Sequence, residues 1–179
     1  MEPDTLTALT RAGKKRPIWT PGPATRTVDY GRGVVERLLP HRDPFLFVDR
    51  ITAVDLEQGA LRGTRRIDPA DPLFVGHFPG QPIYPGVLQV ETMGQLGCCL
   101  PAFLKSGTHE VGADARPVNV RALKIHTATF LAEVLPADEL TILVKLVEGD
   151  DYGAICSGQL LKGDKITVFA VMEVYLVEG

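Results

Sequence analysis

GHFPGQPIYPGVLQVETMGQLGCCL, residues 76–100, divides into two unlike halves. The first half holds three prolines and two glycines within positions 79–86, a density that excludes a helix or a central strand. From position 87 to about position 103, apolar side chains spread almost all round a helical wheel, which is typical of a buried helix. This predicted helix is too short, and too often interrupted by polar residues, to span a membrane.

Two ionisable side chains flank the start of the predicted helix. His77 lies in the turn segment, and Glu91 lies in the second helical turn, where a carboxylate is either paired or kept protonated. The helix begins at Gly86, where unpaired N–H groups and the positive end of the helix dipole favour negative charge. A base, a carboxyl group and an oxyanion site suit proton transfer. A structural histidine and a structural glutamate explain the same spacing, so the spacing alone leaves both interpretations open.

Two blocks of the sequence resemble one known family. GHFPGQPIYPGVLQVETMGQ resembles the GHFPGxPxxPGVLxxEAMxQ signature of the β-hydroxyacyl-[acyl carrier protein] dehydratases, and LLPHRDPFLFVDRI (38–51) resembles their LLPHRxPFLxVDRV segment. The resemblance is strong over 38–100, weaker to 177 and absent before about 33. It implies the family's α+β hot-dog fold, a curved antiparallel sheet wrapped around one long central helix. It also implies a homodimer or a higher oligomer of dimers, with each site shared between two protomers.

The resemblance implies roles for four residues at the turn and the helix start. His77 would remove the proton α to a thioester carbonyl, and the carbonyl of Ile83 would orient its imidazole. The backbone N–H of Gly86 would polarise the thioester carbonyl, with the N–H of Phe78 as a second donor. The implied reaction is loss of water from a β-hydroxyacyl thioester to give the trans-2-enoyl thioester.

The same resemblance assigns the acid. Glu91 would protonate the departing hydroxyl or hold the resulting water, and Gln95, one turn later, either orients Glu91 or is a satisfied structural residue. The related dehydratase/isomerase branch carries Asp at the position of Glu91, so simple dehydration is implied. No cofactor and no metal ion are expected. The acyl carrier is an acyl carrier protein or coenzyme A.

The later part of the chain departs from the family pattern. Residues 132–138, AEVLPAD, occupy the place of a basic run close to RPVxPGD, so that Ala137 replaces a glycine. This difference concerns carrier docking rather than the proposed His77–Glu91 pair. Two other functions stay open: a hot-dog acyl thioesterase, and a non-catalytic subunit that binds acyl chains.

Composition and charge limit the domain number, the partners and the compartment that fit this sequence. The chain has 179 residues, a net charge of −3 and three cysteines, which fits one domain without a disulfide framework. The acidic balance argues against nucleic acid as a partner. Without an apolar leader segment at the N-terminus, we expect a cytoplasmic protein.

The rest of the sequence predicts an N-terminal extension and the strands of a sheet. Residues 1–33, rich in Pro and Gly and lacking clear periodicity, are expected to form a mobile N-terminal extension, and residues 34–179 a dehydratase-like domain. Trp19 docking on the domain is the alternative. A helix is predicted over 33–39. Arg62, Arg65 and Arg66 are expected on a solvated face, and the alternative is that they form a docking surface for an acidic partner. Strands are predicted over 45–55, 60–67, 117–125 with a continuation at 130–135, 139–148, 152–161 and 165–177.

Overall fold

The computed structural model describes residues 1–177, and within them one sheet surrounds a long helix. The elements are α1 (Pro3–Gly13), β1 (Arg26–Tyr30), α2 (Arg32–Leu38), β2 (Arg50–Asp55), β3 (Ala60–Arg66), a 3₁₀ helix (Pro72–Val75), α3 (Gly86–Ser106), β4 (Val120–Phe130), β5 (Glu139–Gly149), β6 (Gly153–Lys162) and β7 (Lys165–Leu176). In this part of the chain no helix is long and apolar enough to cross a membrane.

The seven strands form one antiparallel sheet in the order β1-β2-β3-β5-β6-β7-β4. Short turns join β5 to β6 and β6 to β7, and such turns make consecutive strands antiparallel neighbours. β4 and β1 are the two edge strands. The predicted curved antiparallel sheet around one central helix is therefore confirmed.

Helix α3 lies in close contact with the sheet because two glycines make room for it. A Cβ atom at Gly158 would come 2.9 Å from the Cβ of Met93, and one at Gly63 would come 3.2 Å from Leu96. Met93 and Leu96 are fully buried. The helix continues through Pro101 to its left-handed end at Gly107, so the predicted helix was correct in place and slightly short.

The outer face of the sheet is also buried. Trp19 is 4% exposed and packs with Leu143 and Leu161, while α1 lies over Phe169, which is fully buried. Strands that are buried on both faces are apolar at consecutive positions. This explains continuous runs such as VFAVM in β7, which a one-sided sheet would not need.

One buried glutamine holds the N-terminal residues to the sheet. The side chain of Gln159 is fully buried; its Oε1 accepts from the Ile18 N–H at 2.8 Å, and its Nε2 donates to the carbonyls of Gly13 and Arg16 at 2.5 and 2.9 Å. A mobile extension over 1–33 was expected, but α1 and β1 lie within it, and β1 pairs with β2. The packing thus fits the docked alternative.

We predict that Gln159→Leu lowers the free energy of unfolding by about 1–3 kcal/mol, because three backbone groups lose a buried partner. Urea denaturation measures this, and limited proteolysis between residues 14 and 25 should become faster. Gln81→Leu is the matched control, since Gln81 is exposed and uses only its backbone groups. Equal stability of both variants with wild type would contradict the anchoring role.

The connection from β4 to β5 contains an alanine in a backbone conformation that favours glycine. The predicted strand at 130–135 ends at Phe130, and Ala137 then has φ +67° while its N–H donates to the carbonyl of Ile67. A Cβ atom in the left-handed region is sterically unfavourable. The structure therefore shows why glycine suits this position in the resembled family.

Ala137→Gly is expected to raise the free energy of unfolding by roughly 0.5–1 kcal/mol, since glycine adopts positive φ without steric cost. Thermal or urea unfolding measures the change. Ala132→Gly serves as the comparison, because Ala132 does not have positive φ and glycine there only adds freedom to the unfolded chain. The prediction fails if the two substitutions destabilise equally.

Arg65 departs from the expected solvated face. Its Nη1 donates to the carboxylate of Asp49 at 3.0 Å, and its guanidinium lies 5.6 Å from the ring centroid of Phe47. Only 12% of the Arg65 side chain is exposed. Arg65 is thus part of the packing beneath the 45–49 segment and is not available to an acidic partner, unlike the exposed Arg66.

Candidate active site

His77 lies in the turn between the 3₁₀ helix and α3, held by backbone bonds on both sides. Its N–H donates to the Leu73 carbonyl at 3.0 Å, and its own carbonyl accepts from the Ile83 N–H at 3.0 Å. The 3₁₀ helix is itself capped by Asp71, whose carboxylate accepts from the Leu73 N–H. The turn therefore fixes the backbone of His77 independently of its side chain.

The imidazole of His77 is oriented by the predicted carbonyl. Its Nδ1 lies 2.8 Å from the carbonyl oxygen of Ile83, and the half-buried ring stacks on Phe78 at 4.1 Å between centroids. A carbonyl oxygen can only accept, so Nδ1 carries the proton in this hydrogen bond. In the neutral tautomer that this bond selects, Nε2 is the nitrogen without a proton, as a general base requires.

Gly86 begins α3, directly after the N-cap residue Pro85. The carbonyl of Pro85 accepts from Leu88 and Gln89, whereas the Gly86 N–H has no acceptor among the described residues. A Cβ atom at position 86 would come 2.7 Å from the ring of Phe130. A side chain at this position would therefore displace the ring of Phe130, and the free N–H of Gly86 lies at the positive end of the helix dipole.

The N–H of Phe78 does not provide the expected second donor. It donates to the carbonyl of Gln81 at 3.1 Å, and the Gln81 N–H returns a bond to the carbonyl of Phe78. Of the two backbone donors expected from the sequence, only the Gly86 N–H is therefore without an acceptor among the described residues.

Glu91 is held by Gln95, which is 1% exposed. The Gln95 amide donates to Glu91 Oε1 at 2.9 Å and to the Phe45 carbonyl at 3.0 Å, and it accepts from the Phe47 N–H at 2.7 Å. Phe45 and Phe47 thus bond to a side chain, and the strand predicted over 45–55 begins only at Arg50. Gln95 thus combines the two roles that the sequence left as alternatives.

His41 also belongs to the surroundings of Glu91, and sequence reasoning assigned it no role. Its Nε2 lies 3.7 Å from Glu91 Oε1, with 26% of the His41 and 35% of the Glu91 side chain exposed. The sequence did draw attention to this residue, since His41 stands in the LLPHRDPF block that carries the family resemblance. A position within a motif does not indicate which distant side chain it contacts.

The structure brings the predicted site residues to one end of α3, but it does not bring all of them into contact with one another. Within residues 1–177, His77 and Glu91 form no hydrogen bond or ion pair with each other. Glu91 lies five residues after Gly86, about 7.5 Å along the helix axis. In a single chain, His77 with Gly86 and Glu91 with its hydrogen-bond partner Gln95 therefore form two separate groups.

The cysteines and the acidic residues form no further centre. Burial raises the pKa of the Cys98 thiol to about 11 and that of Cys156 to about 12, which makes both poor nucleophiles at neutral pH. Among the described residues, no three His, Cys, Asp or Glu side chains come together as a group that could hold a metal ion.

Comparison with known proteins agrees with the sequence resemblance. The family model of the FabA-like domain matches residues 39–171. The 3-hydroxyacyl-[acyl-carrier-protein] dehydratase FabZ of Sulfurimonas denitrificans is 34% identical over 144 residues, which cover 80% of this chain and 95% of that protein. The protein of the same name from Nitratiruptor sp. is 41% identical over 115 residues, 64% of this chain and 75% of the relative.

Solved structures support the fold. A chain of the dehydratase heterocomplex ApeI:P from Xenorhabdus doucetiae superimposes with a TM-score of 0.62 at 15% identity, covering 80% of this chain and 91% of that one. The predicted hot-dog fold is confirmed, and so is the resemblance stated from residues 38–51 and 76–95. The match over most of the chain, together with relatives above 30% identity, shows that this protein belongs to the FabA-like domain family.

Proposed function

We propose that this protein removes water from β-hydroxyacyl thioesters and releases trans-2-enoyl thioesters, as a hydro-lyase of fatty acid or polyketide-like synthesis. The observation that carries the proposal is the bond of His77 Nδ1 to the Ile83 carbonyl, in the turn that leads to the free N–H of Gly86 at the start of α3. A base and an oxyanion donor in one turn suit the abstraction of a proton α to a carbonyl.

The reaction divides between the two groups of residues. His77 Nε2 takes the proton from the carbon α to the thioester, and the developing negative charge on the carbonyl oxygen is stabilised by the Gly86 N–H. As the double bond forms between the α and β carbons, the β carbon–oxygen bond breaks. The leaving hydroxyl takes a proton from Glu91 and departs as water.

The assembly proposed for this chemistry is a homodimer, alone or within a larger oligomer. The edge strand β4 leaves Leu123 and Ile125 61% and 56% exposed, and an apolar unpaired edge favours pairing with another strand. A second copy that pairs with this edge would join the two sheets into one. It would also combine the His77 of one protomer with the Glu91 of the other. The two separate groups described above favour such a shared site.

The carrier and the compartment are proposed from the relatives and the cysteines. The relatives are named for acyl-carrier-protein substrates, so we propose that carrier here, with coenzyme A as the alternative. Cys98, Cys99 and Cys156 are free thiols, which suits a reducing cytoplasm.

Incubation of the purified protein with β-hydroxybutyryl thioesters of acyl carrier protein and of coenzyme A tests the function. Mass spectrometry follows the loss of one water from the acyl group, and a thiol reagent follows hydrolysis. Enoyl product without free thiol is expected. Release of free thiol would indicate the thioesterase alternative, and no change in either substrate would indicate an acyl-binding subunit.

A further inference from the structure

The backbone of segment 45–49 sets the orientation of the Gln95 amide. The Phe47 N–H donates to this amide at 2.7 Å, and because an N–H needs an acceptor, the bond identifies the amide oxygen, Oε1. The amide nitrogen is then directed to two acceptors, the Phe45 carbonyl at 3.0 Å and Glu91 Oε1 at 2.9 Å. The position of this segment therefore controls the hydrogen bond that Glu91 receives.

The bond from Gln95 distinguishes the two oxygens of Glu91. In a neutral carboxyl group one oxygen carries the proton and the other accepts hydrogen bonds. Because Gln95 donates to Oε1, a neutral Glu91 is more stable with its proton on Oε2. Among the described residues Oε2 has no hydrogen-bond partner, and 35% of the Glu91 side chain is exposed. Oε2 is therefore the oxygen from which a proton can pass to a substrate.

Arg65, on the neighbouring strand β3, holds segment 45–49 in place. Its Nη1 donates to Asp49 Oδ1 at 3.0 Å and lies 3.4 Å from the carbonyl oxygen of Leu46. Its guanidinium lies 5.6 Å from the centroid of the Phe47 ring. A charge-assisted hydrogen bond is roughly twice as strong as one between neutral groups. One cation thus contacts the segment on both sides of the Phe47 N–H that orients Gln95.

We propose that Arg65 is a positioning residue for the acid of this site, and that it acts through Phe47 and Gln95 to hold Glu91 with its proton on Oε2. The inference rests on the proposed dehydration, in which the O–H bond of Glu91 breaks and its proton joins the leaving hydroxyl to form water. Within residues 1–177 Arg65 forms no hydrogen bond or ion pair with Glu91, so its effect passes through segment 45–49. Misplacing a reacting group by about 1 Å can cost about 10²-fold in rate.

Substitutions of Arg65 test the effect on turnover. Methionine is unbranched and uncharged, so we expect Arg65→Met to lower kcat about tenfold or more while KM changes by less than about twofold. Arg65→Lys keeps the charge without the planar group, and its kcat should lie between those of wild type and Arg65→Met. Arg62→Met is the matched control, because Arg62 lies on the same strand and its Nε donates to Thr52 Oγ1 at 3.1 Å. Equal losses in Arg62→Met and Arg65→Met would overturn the proposal, as would a lysine variant no faster than the methionine variant.

A double-mutant cycle shows whether Arg65 acts through Gln95. Gln95→Met removes the amide that links segment 45–49 to Glu91, and it should lower kcat by itself. Adding Arg65→Met to this variant should then lower kcat by less than about twofold more, because residues that act through one contact are not additive. A full tenfold loss in both backgrounds would show another route to activity and overturn the proposal, as would wild-type kcat in Gln95→Met.

Hydrogen exchange followed by NMR separates this inference from the proposed function, because it needs no turnover. Phe47 is 3% exposed, and its N–H should exchange about tenfold faster or more in Arg65→Met than in wild type, while the amides of β5 and β6 keep their rates. An unchanged rate at Phe47 overturns the positioning by Arg65. A faster rate in a protein that dehydrates neither thioester would leave the positioning intact and contradict the proposed function instead.

Discussion

Alanine in place of His77 is expected to lower kcat for dehydration by about 10²–10⁴-fold, the usual contribution of a positioned general base. The substitution removes the imidazole and its bond to the Ile83 carbonyl. The backbone bonds of residue 77 to Leu73 and Ile83 remain, so the turn should keep its shape. Steady-state kinetics on the β-hydroxybutyryl thioester measures the loss, and thermal unfolding checks the fold.

His109→Ala is the matched control for His77→Ala. His109 lies after the end of α3, and its backbone carbonyl, which accepts from the Tyr30 hydroxyl, is kept in the variant. We expect nearly wild-type dehydration from it. More than a tenth of wild-type kcat in folded His77→Ala would exclude His77 as the general base.

The second large effect that we expect is the recovery of activity when two inactive variants are combined in one dimer. If each site combines His77 of one protomer with Glu91 of the other, a dimer of one His77→Ala and one Glu91→Gln chain carries both changes in one site and neither in the other. Random mixing makes half of the dimers mixed, and each mixed dimer has one intact site of two, so about a quarter of wild-type activity should return in the mixture and about half in the purified mixed dimer. Co-expression with two different tags, followed by assay of the purified mixed dimer, measures this.

The control for this experiment is a double variant, His77→Ala with Glu91→Gln on one chain, mixed with each single variant. Every site then lacks at least one group, and no activity should return. Full inactivity of the His77→Ala and Glu91→Gln mixture, with mixed dimers shown by the tags, would place both groups of a site on one chain.

The sequence predicted helices and strands correctly where the local pattern of apolar residues agrees with their burial in the fold. Helix α3 is apolar all round because the sheet curves about it, and β5–β7 are apolar runs between clear turn signals, so their ends were predicted within a few residues. Residues 1–33 were harder, because what fixes them is Gln159, more than 140 positions away in the chain. A buried glutamine and an exposed glutamine look alike in a sequence.

In the candidate site, the motif predicted only contacts between residues that lie close together in the sequence. His77, Ile83 and Gly86 lie within ten residues; His77 Nδ1 bonds to the Ile83 carbonyl, and α3 begins at Gly86. The use of the Phe78 N–H inside its own turn depends on the path of the backbone, which the residue types do not specify. The approach of His41 to Glu91 spans fifty residues and depends on how α2 and the following turn pack on α3.

The strand order has a consequence for synthesis on the ribosome. β3 pairs with β5 across α3 and β4, so when α3 is complete only β1–β3 are available to cover it. About 70 further residues, from the end of α3 to the end of β7, take roughly 4–14 s at usual ribosomal elongation rates. During that interval an apolar helix and an unpaired β3 edge are exposed together. We therefore expect nascent chains stalled after α3 to bind chaperones, and chains extended past β7 to be released from them.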